Sequence, residues 1–295
     1  MTGAEAGFLL LGSQLGNPDR KVLTTAQLRL LGQRARQLQV DDPKRELTER
    51  DLHSLGYGDD MARRILALLE EKDLLEYYCM RSIKADCAYL SRISVGYPDA
   101  LRRKLGDDSP SVLWAKGDLS LLTTPKIALV GSRELLPENR EFAKEVGRRA
   151  ALQGCVLVSG NARGADKAAQ EACLAAGGKV ISVVADKLES HSIREHVLYL
   201  SEDGFDCDFS AQRAISRNRV IHALAEKTFV AQCGYQMGGT WDGSVKNLRF
   251  GWSQVYCYDD GSPAQNLLQE MGANLVDMAA LSDISKLENR NISLF

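Results

Sequence analysis

The seven cysteines of this 295-residue sequence form no CxxC pair and no CxxH spacing. Zinc sites and disulfide frameworks are usually recognised by such spacings, so we expect neither a metal centre nor disulfide bonds. No apolar run approaches the roughly 18 residues of a transmembrane helix, and the apolar residues near the N-terminus follow no basic segment. We therefore expect no membrane span and no secretory signal, and the cysteine usage favours a cytoplasmic protein.

The motifs of common cofactor-binding and catalytic sites are also absent. Gly131 is followed by Ser132 and Arg133 rather than by the glycines of a GxGxxG fingerprint, and no GxxxxGK[ST] occurs. The sequence contains no GxSxG, and its four histidines lie at no recognisable spacing from a nucleophile. We therefore expect no NAD or ATP cofactor and no enzymatic activity.

A strongly basic composition is absent as well. The formal net charge is −2, whereas a protein that coats nucleic acid non-specifically is more often basic. The hydrophobic fraction of 44% and the charged fraction of 26% are typical of a globular protein. This composition argues against a broad basic surface and allows a focused basic pocket.

Residues 1–92 are predicted to form a helical domain. Thr24 can cap a helix, Thr48 followed by Asp51 is a capping-box pattern, and a further helix is predicted over 62–80. Short helices around a glycine turn favour a small bundle. Such a bundle serves either packing and oligomerisation or, as a helix-hairpin-helix, contact with a DNA backbone.

Residues 93–295 are predicted to form an α/β domain with an extended Rossmann-like parallel sheet. Segment 110–118 is predicted as an edge strand at its entry. Beyond it, apolar runs alternate with helical patterns, which favours right-handed crossovers and a parallel sheet. The predicted strands are 126–131, 155–159, 179–185, 228–232 and 254–258, and the predicted helices are 138–153, 164–177, 210–226 and 243–251.

Small residues and arginines follow the predicted strands. Ligands of parallel sheets bind at the carboxyl ends of the strands, and unpaired backbone N–H groups at helix starts favour anions. Arginine can hold a phosphate with its planar guanidinium. We therefore predict an anion site, with phosphate as its ligand. Its four segments are Gly131-Ser132-Arg133, the loop 159–166, Ser216-Arg217-Asn218-Arg219 and Gly238-Gly239-Thr240.

Each segment alone also has an ordinary structural explanation. A glycine after a strand is often only a turn, and Asp166 is better explained as a helix cap than as a catalytic base. Arg217 and Arg219 are compatible with a solvated helix face. His222, within VIHALAEK, is interpreted as a structural residue. The convergence of four segments at one sheet edge favours the anion site.

At these segments the sequence resembles the DNA-processing protein A (DprA, or Smf) family. The resemblance is collinear over roughly 97–280, and the order and spacing of the motifs make it specific. The segments that carry it are YPDAL (97–101), PSVLWAKGD (110–118), VGSR (130–133), SGNARGAD (159–166), GGKVISVV (177–184), SRNRVI (216–221) and MGGTWDGS (237–244).

The resemblance implies a Rossmann-like domain that binds single-stranded DNA and forms a homodimer. In the family this activity protects incoming DNA and helps to load the RecA recombinase during natural transformation. Carried over by position, the residues implied to bind DNA phosphates are Gly131, Ser132, Arg133, Ser159, Gly160, Arg163, Gly164, Arg217, Arg219, Gly239 and Thr240. Tyr235 and Trp241 are candidates for stacking on bases.

Several departures indicate a divergent member. The family has leucine where this chain has Asn161 and isoleucine where it has Ala165, and segment 185–200 lacks an aromatic-proline element. The sequence after the last predicted strand is too short for the winged-helix domain that some members carry, so we expect none. The alternative function is a Rossmann-like binder of small nucleotides or a nucleoside-monophosphate hydrolase. The enzymes of that group use a GGxGT loop with a following glutamate, which segment 238–242 does not match.

Overall fold

The computed structural model describes residues 1–38 and 45–287, so the parts of the two predicted domains at 39–44 and 288–295 lie outside the described residues. The chain begins with the helices α1 (Gly3–Gly12), α2 (Thr25–Ala35), α3 (Glu49–Ser54), α4 (Asp59–Glu70) and α5 (Lys72–Lys84). No helix within the described ranges is long and apolar enough to cross a membrane.

Local capping explains where two of these helices begin. The side chains of Thr24 and Thr48 each accept a hydrogen bond from the third residue of the helix that follows, and both complete capping boxes, as predicted. The single helix predicted over 62–80 is wrong, because Glu71 (φ −76°, ψ 42°) leaves the helical region and separates α4 from α5.

Within the described residues, nine strands form one sheet. They are β1 (Ala88–Ser91), β2 (Val112–Gly117), β3 (Lys126–Val130), β4 (Val156–Ser159), β5 (Lys179–Val183), β6 (Val197–Ser201), β7 (Lys227–Val230), β8 (Gln254–Tyr258) and β9 (Asn274–Val276). Their order across the sheet is β1-β2-β6-β5-β4-β3-β7-β8-β9. Only β2 pairs antiparallel, with β1 and with β6. The predicted α/β class with a Rossmann-like, mostly parallel sheet is confirmed.

Helices cover both faces of this sheet, as buried parallel strands require. The remaining helices are α6 (Asp99–Leu105), α7 (Pro137–Leu152), α8 (Ala165–Ala175), α9 (Ala211–Ser216), α10 (Asn218–Leu224), α11 (Gly238–Phe250) and α12 (Pro263–Glu270). Phe142 of α7 belongs to the apolar cluster on one face, and Leu101 of α6 and Val220 of α10 belong to the cluster on the other. The helix predicted over 210–226 is divided at Arg217, and α11 begins at Gly238 rather than at 243.

Two strand predictions are corrected by the sheet. Segment 110–118 does not form an edge strand, because β2 lies between β1 and β6 and buries nearly all of its residues. β1, β6 and β9 were not predicted, and β1 lies within the segment predicted as wholly helical. Every residue of β6 is buried. A short apolar run such as Val197–Ser201 is the pattern expected of an interior strand, so the sequence did contain a signal for β6.

The N-terminal helices pack directly on the sheet. The ring of Tyr78 in α5 meets that of Trp114 in β2 edge-on, with centroids 5.2 Å apart and an interplanar angle of 87°. Leu9 of α1 lies in the same apolar cluster. β1 precedes the domain boundary predicted at 92/93, and that boundary stays a prediction.

The strand order reverses beside β3. Strands β3 to β6 run successively in one direction, whereas β7 returns to the other side of β3. At such a reversal the loops leaving neighbouring strands diverge to opposite faces and open a crevice at the carboxyl ends. The segments after β3, β4 and β7 therefore surround one crevice.

Candidate functional site

Two adjoining cavities occupy the crevice at the carboxyl edge. The large cavity, of about 660 Å³, includes Gly131, Ser132, Arg133, Asp166, Arg217, His222, Gln232, Met237, Gly239 and Thr240 in its lining. The small cavity, of about 230 Å³, is lined by Arg133, Gly160, Asn161, Ala162, Arg163, Ala185, Asp186, Phe209, Ala214 and Arg217. Arg133 and Arg217 belong to both. The structure thus brings most of the predicted site residues together.

The loop after β3 is tied to the loop after β7. The backbone N–H and the hydroxyl of Ser132 both donate to the carbonyl oxygen of Gln232, at 2.9 and 3.2 Å. The next side chain, Arg133, is exposed and makes no hydrogen bond or ion pair with any described residue. The loop therefore holds its backbone rigidly and leaves one guanidinium available to a ligand.

Asp166 organises the loop after β4. Its Oδ2 accepts hydrogen bonds from the backbone N–H groups of Gly160 (3.1 Å) and Ala162 (3.2 Å). The expectation that Asp166 caps a helix is wrong, because the N-cap of α8 is Gly164 and the carboxylate turns back into the loop. These two N–H groups are already satisfied, which leaves the exposed Arg163 as the cationic group of this loop.

Arg217 joins the second loop to the helix pair α9–α10. Its Nη2 donates to the carbonyl oxygen of Gly160 at 3.0 Å, and its Nη1 donates to Oδ1 of Asn218 at 2.9 Å. Nη2 also lies 4.0 Å from Oδ2 of Asp166, and both side chains are more than nine-tenths buried. Burial raises the pKa of Asp166, while the Arg217 cation and the two N–H donors oppose that rise.

Glycines permit the close contact between these segments. Gly164 has φ +86°, and a Cβ atom there would overlap the carbonyl oxygens of Ser132 and Arg133. A Cβ atom on Gly160 would overlap the guanidinium of Arg217. The glycines of this motif therefore serve the packing of one loop on another.

Three predicted site residues, Ser159, Gly164 and Arg219, line neither the large nor the small cavity. Ser159 is fully buried, and its Oγ accepts a hydrogen bond from Nε2 of Gln170 at 2.5 Å. Arg219 faces a third cavity, where its Nη2 pairs with Glu202 at 2.6 Å and its Nε donates to the carbonyl of Asp108 at 2.9 Å. Arg217 and Arg219 are two residues apart in sequence, but Arg217 lines the large and small cavities whereas Arg219 lines the third.

The start of α11 completes the large cavity. Its N-cap residue, Met237, supplies no side-chain hydrogen bond to the first turn, and Gly239 and Thr240 line the cavity. The carbonyl oxygen of Gly239 accepts from Nδ2 of Asn218 at 3.0 Å, which fixes this turn against α10. The first turn of a 13-residue helix therefore faces the cavity with its N–H groups uncapped by a side chain.

Sequence reasoning missed two residues of these cavities. Phe209, 57% exposed, lines the small cavity beside Arg163, and no motif marked it. His222 lines the large cavity, although its apolar neighbours in sequence indicated only a packed helix face. Tyr235 and Trp241 pack near each other, with centroids 6.4 Å apart, and line neither the large nor the small cavity.

The sheet order and the carboxyl-edge cavities place the chain in the class of Rossmann-like α/β proteins. It belongs to the family described as DNA recombination-mediator protein A, whose model matches residues 88–243. The description of the family and the names of the relatives concern DNA processing and recombination mediation, and they name no catalysed reaction.

Three curated relatives show the extent of the similarity. The chain is 32% identical over 137 residues to DNA processing protein DprA of Bacillus subtilis, covering 42% of this chain and 46% of the relative. It is 34% identical over 145 residues to that of Streptococcus pneumoniae, covering 44% and 50%. Protein Smf of Borreliella burgdorferi is 28% identical over 270 residues, covering 84% and 82%. The alignment therefore spans about half the length of the first two relatives.

Two solved structures are similar to this one. The X-ray structure of DprA from Streptococcus pneumoniae has a TM-score of 0.70 at 24% identity and covers 98% of this chain and 99% of its own, which shows a shared fold. A structure that describes the single-stranded DNA binding mode of DNA processing protein A from Helicobacter pylori has a TM-score of 0.55 at 26% identity. It covers 64% of this chain and 90% of its own.

Proposed function

We propose that this protein binds single-stranded DNA at the carboxyl edge of its sheet and acts in DNA processing. The observation that carries the proposal is a pair of exposed arginines, Arg133 and Arg163, that line one small cavity and have no partner among the described residues. The DNA phosphates bind to these two guanidinium groups. Family membership supports a nucleic-acid ligand.

The buried contacts beneath the arginines support this assignment. Arg217 and Asp166 interact with each other and with the loop backbone, so they supply rigidity rather than free charge. The two exposed guanidinium groups therefore concentrate positive charge on a chain whose net charge is −2. Such a focused patch binds phosphates without coating the whole surface in cations.

An exposed aromatic ring beside the arginines favours a strand over an isolated anion. Phe209 lines the same small cavity and offers a face on which an unpaired base stacks. The alternative, a small-nucleotide binder, uses the same guanidinium groups. Two carboxylates at the cavities already have partners, which does not favour a catalytic base: Asp166 accepts hydrogen bonds from the loop backbone, and Asp186 in the small cavity is hydrogen-bonded to Nε2 of His191 at 2.9 Å.

The wider biological role rests on family membership and resemblance. We propose that the protein works in the cytoplasm as a homodimer and helps to load the RecA recombinase onto DNA during uptake. The glycines at positions 131, 160, 164 and 239 and Ser132 support the site by shaping its loops. Thr240 offers its N–H and hydroxyl at the start of α11. Ser159 and Arg219 support the site indirectly, through the hydrogen bond of Ser159 with Gln170 and the ion pair of Arg219 with Glu202.

The test is fluorescence anisotropy of a labelled oligothymidylate at several salt concentrations. The double variant Arg133→Ala/Arg163→Ala is compared with the control Arg194→Ala. Arg194 is exposed and lies just before β6, at the amino ends of the parallel strands and therefore away from the site. We expect the double variant to bind at least about tenfold more weakly. Its log–log salt dependence becomes shallower by about 0.7 for each lost phosphate contact.

Unchanged affinity in the double variant, with the control also unchanged, contradicts the proposed site. A parallel thermal-shift panel of nucleoside monophosphates separates the two ligand classes. A melting-temperature rise with a free nucleotide, combined with no oligonucleotide binding, supports the alternative function instead.

A further inference from the structure

The loop that follows β6 carries one wall of the small cavity. This β6–α9 loop, residues 202–210, ends at the N-cap residue of α9 and leads through that helix to Arg217. Phe209 lies in the loop and Ala214 lies in α9, and both line the small cavity together with Arg217. The position of this wall therefore depends on what holds the loop.

The middle of the loop packs against the N-terminal helices. Phe205 is fully buried, and its ring lies against that of Tyr78 in α5, with centroids 4.6 Å apart. It also contacts the ring of Trp114 in β2, with centroids 5.4 Å apart. The carbonyl oxygen of Phe205 accepts a hydrogen bond from the backbone N–H of Glu189 at 2.9 Å. The surface on which Phe205 packs is therefore formed jointly by α5 and the sheet.

The next residue, Asp206, is held by α5 through both carboxylate oxygens. Its Oδ1 accepts a hydrogen bond from the hydroxyl of Tyr78 at 2.6 Å, and its Oδ2 lies 3.1 Å from Nη1 of Arg81. The side chain of Asp206 is only 12% exposed, and Tyr78 is buried. A carboxylate so far removed from water needs these partners, because burying an unpaired charge is costly.

The contact between Tyr78 and Asp206 is closely packed. A Cβ atom on Gly204 would lie 2.8 Å from the hydroxyl of Tyr78. A Cβ atom on Gly16, in the loop after α1, would lie 2.9 Å from the ring of Tyr78 and 3.1 Å from Oδ2 of Asp206. Close packing of this kind leaves the loop little freedom to shift on the helix.

Further along the loop the ion pair is weaker. The carboxylate of Asp208 lies 3.3 Å from Nζ of Lys187, but it is 88% exposed, and exposed ion pairs contribute little. The carbonyl oxygen of Asp208 accepts a hydrogen bond from Nη1 of Arg213, which belongs to the same segment and moves with it. Phe209 is only three residues beyond Asp206. The contact of Asp206 with α5 therefore limits where Phe209 can lie.

We propose that Tyr78 is a positioning residue for single-stranded DNA binding: by holding Asp206, it fixes the β6–α9 loop and with it the wall of the small cavity that contains Phe209. This inference rests on the proposed function, because the strand contacts that wall. Tyr78 itself lines neither the large nor the small cavity. The N-terminal helices thus contribute to DNA binding without contacting the DNA.

The experiment measures anisotropy of a labelled oligothymidylate with Tyr78→Phe, which removes one hydroxyl and keeps the packed ring. We expect binding to weaken about threefold to tenfold. The salt dependence stays unchanged, because Arg133 and Arg163 lie on other loops. The matched control is Tyr97→Phe. Tyr97 is 2% exposed, and its hydroxyl donates to the carbonyl of Pro110 at 2.7 Å, so the control loses one buried hydrogen bond elsewhere and binds like the wild type.

Asp206→Asn separates positioning from charge. This variant removes a negative charge, so a purely electrostatic effect would strengthen DNA binding. Positioning predicts the opposite result. An amide has one acceptor oxygen and presents its NH₂ group to one of the two donors, Tyr78 or Arg81. We expect binding to weaken by about threefold or more, and this variant also serves if Tyr78→Phe fails to fold.

Two further measurements test the route through the loop. In a Phe209→Leu background, Tyr78→Phe changes affinity by less than about twofold, because the ring that it positions is already gone. Hydrogen exchange of the free protein gives a readout that needs no DNA. In Tyr78→Phe, peptides from 204–214 exchange faster, whereas those from 131–135 and 159–164 do not. General destabilisation would accelerate all of them.

The outcomes separate this inference from the proposed function. Wild-type affinity in Tyr78→Phe, or an equal loss in Tyr97→Phe, overturns the inference while strand binding stands. Tighter binding by Asp206→Asn, unchanged exchange in 204–214, or a full loss of affinity from Tyr78→Phe in the Phe209→Leu background also overturns it. No strand binding by the wild type overturns the proposed function and this inference together.

Discussion

Nη2 of Arg217 donates a hydrogen bond to the carbonyl oxygen of Gly160 across 3.0 Å, and this contact joins two segments that are 57 residues apart in sequence. It fixes the loop after β4 against the helix pair α9–α10. Because the same loop packs beneath Ser132 and Arg133, one buried guanidinium holds the geometry of the whole crevice. The exposed arginines are then free to meet a ligand.

Replacing Arg217 with alanine removes this contact and leaves the buried carboxyl of Asp166 without its neighbouring cation. We expect the free energy of unfolding to fall by about 3 kcal/mol, the usual cost of breaking a buried ion pair from one side. Urea unfolding measures it. Arg133→Ala, which removes an exposed arginine without a partner among the described residues, is the control and changes stability by less than about 0.5 kcal/mol. Equal stabilities of the two variants would show that Arg217 does not organise the crevice.

Gly164 is required by both its backbone angle and its surroundings. Gly164→Ala adds a Cβ atom against two carbonyl oxygens at φ +86°, whereas Gly177→Ala adds one at φ +75° in open space. We expect the control to lose about 1 kcal/mol from backbone strain. The Gly164 variant loses at least about 2 kcal/mol more from the overlap. Thermal or urea unfolding gives both numbers, and similar losses would contradict a tight loop-to-loop contact.

Phe209 provides a test of base stacking that is independent of charge. We expect Phe209→Leu to weaken single-stranded DNA binding by roughly 1 kcal/mol or more without changing the salt dependence, because it removes an aromatic face and no cation. Phe250 is a matched control, since it is 56% exposed and Phe209 is 57% exposed. An equal loss of affinity in Phe250→Leu would contradict a specific role of Phe209.

His222 predicts a pH dependence of stability. Its folded pKa of about 3 lies below the ordinary value of 6.5, so the unfolded chain binds a proton that the folded chain does not. Between about pH 3 and pH 6.5 this group therefore makes stability rise with pH, by up to about 1.4 kcal/mol per pH unit. Above that window it contributes no slope.

The raised pKa of Asp166 acts in the opposite direction, so the wild-type slope alone is not the test. The difference between wild type and His222→Phe, measured by urea unfolding across the same window, isolates the histidine. We expect the variant to lose less stability on acidification. Parallel pH profiles of the two proteins would contradict a buried neutral histidine.

Much of the sheet is predictable from local pattern. β3, β4 and β5 are apolar runs followed by turn residues, and their positions agree with the prediction to within two residues at each end. The error at 110–118 has a clear cause. β2 is not at an edge because β1 pairs with it, and β1 precedes α6 in the sequence. The residue pattern of β2 does not indicate that this pairing exists.

The loop sequences alone were sufficient to indicate a Rossmann-like sheet with arginines at its carboxyl edge, because strand alternation and turn chemistry are local properties. The roles of the individual charges were decided by the tertiary structure. Arg217 is buried while Arg133 and Arg163 are exposed, and Arg219 turns away to Glu202. The carboxylate of Asp166 accepts hydrogen bonds from its own loop, and the ring of His222 is buried against Asn247 and Thr228. These outcomes depend on contacts between residues that are far apart in sequence. Such contacts form only when helices, strands and loops pack together, so the hydrophobic pattern of a single segment does not reveal them.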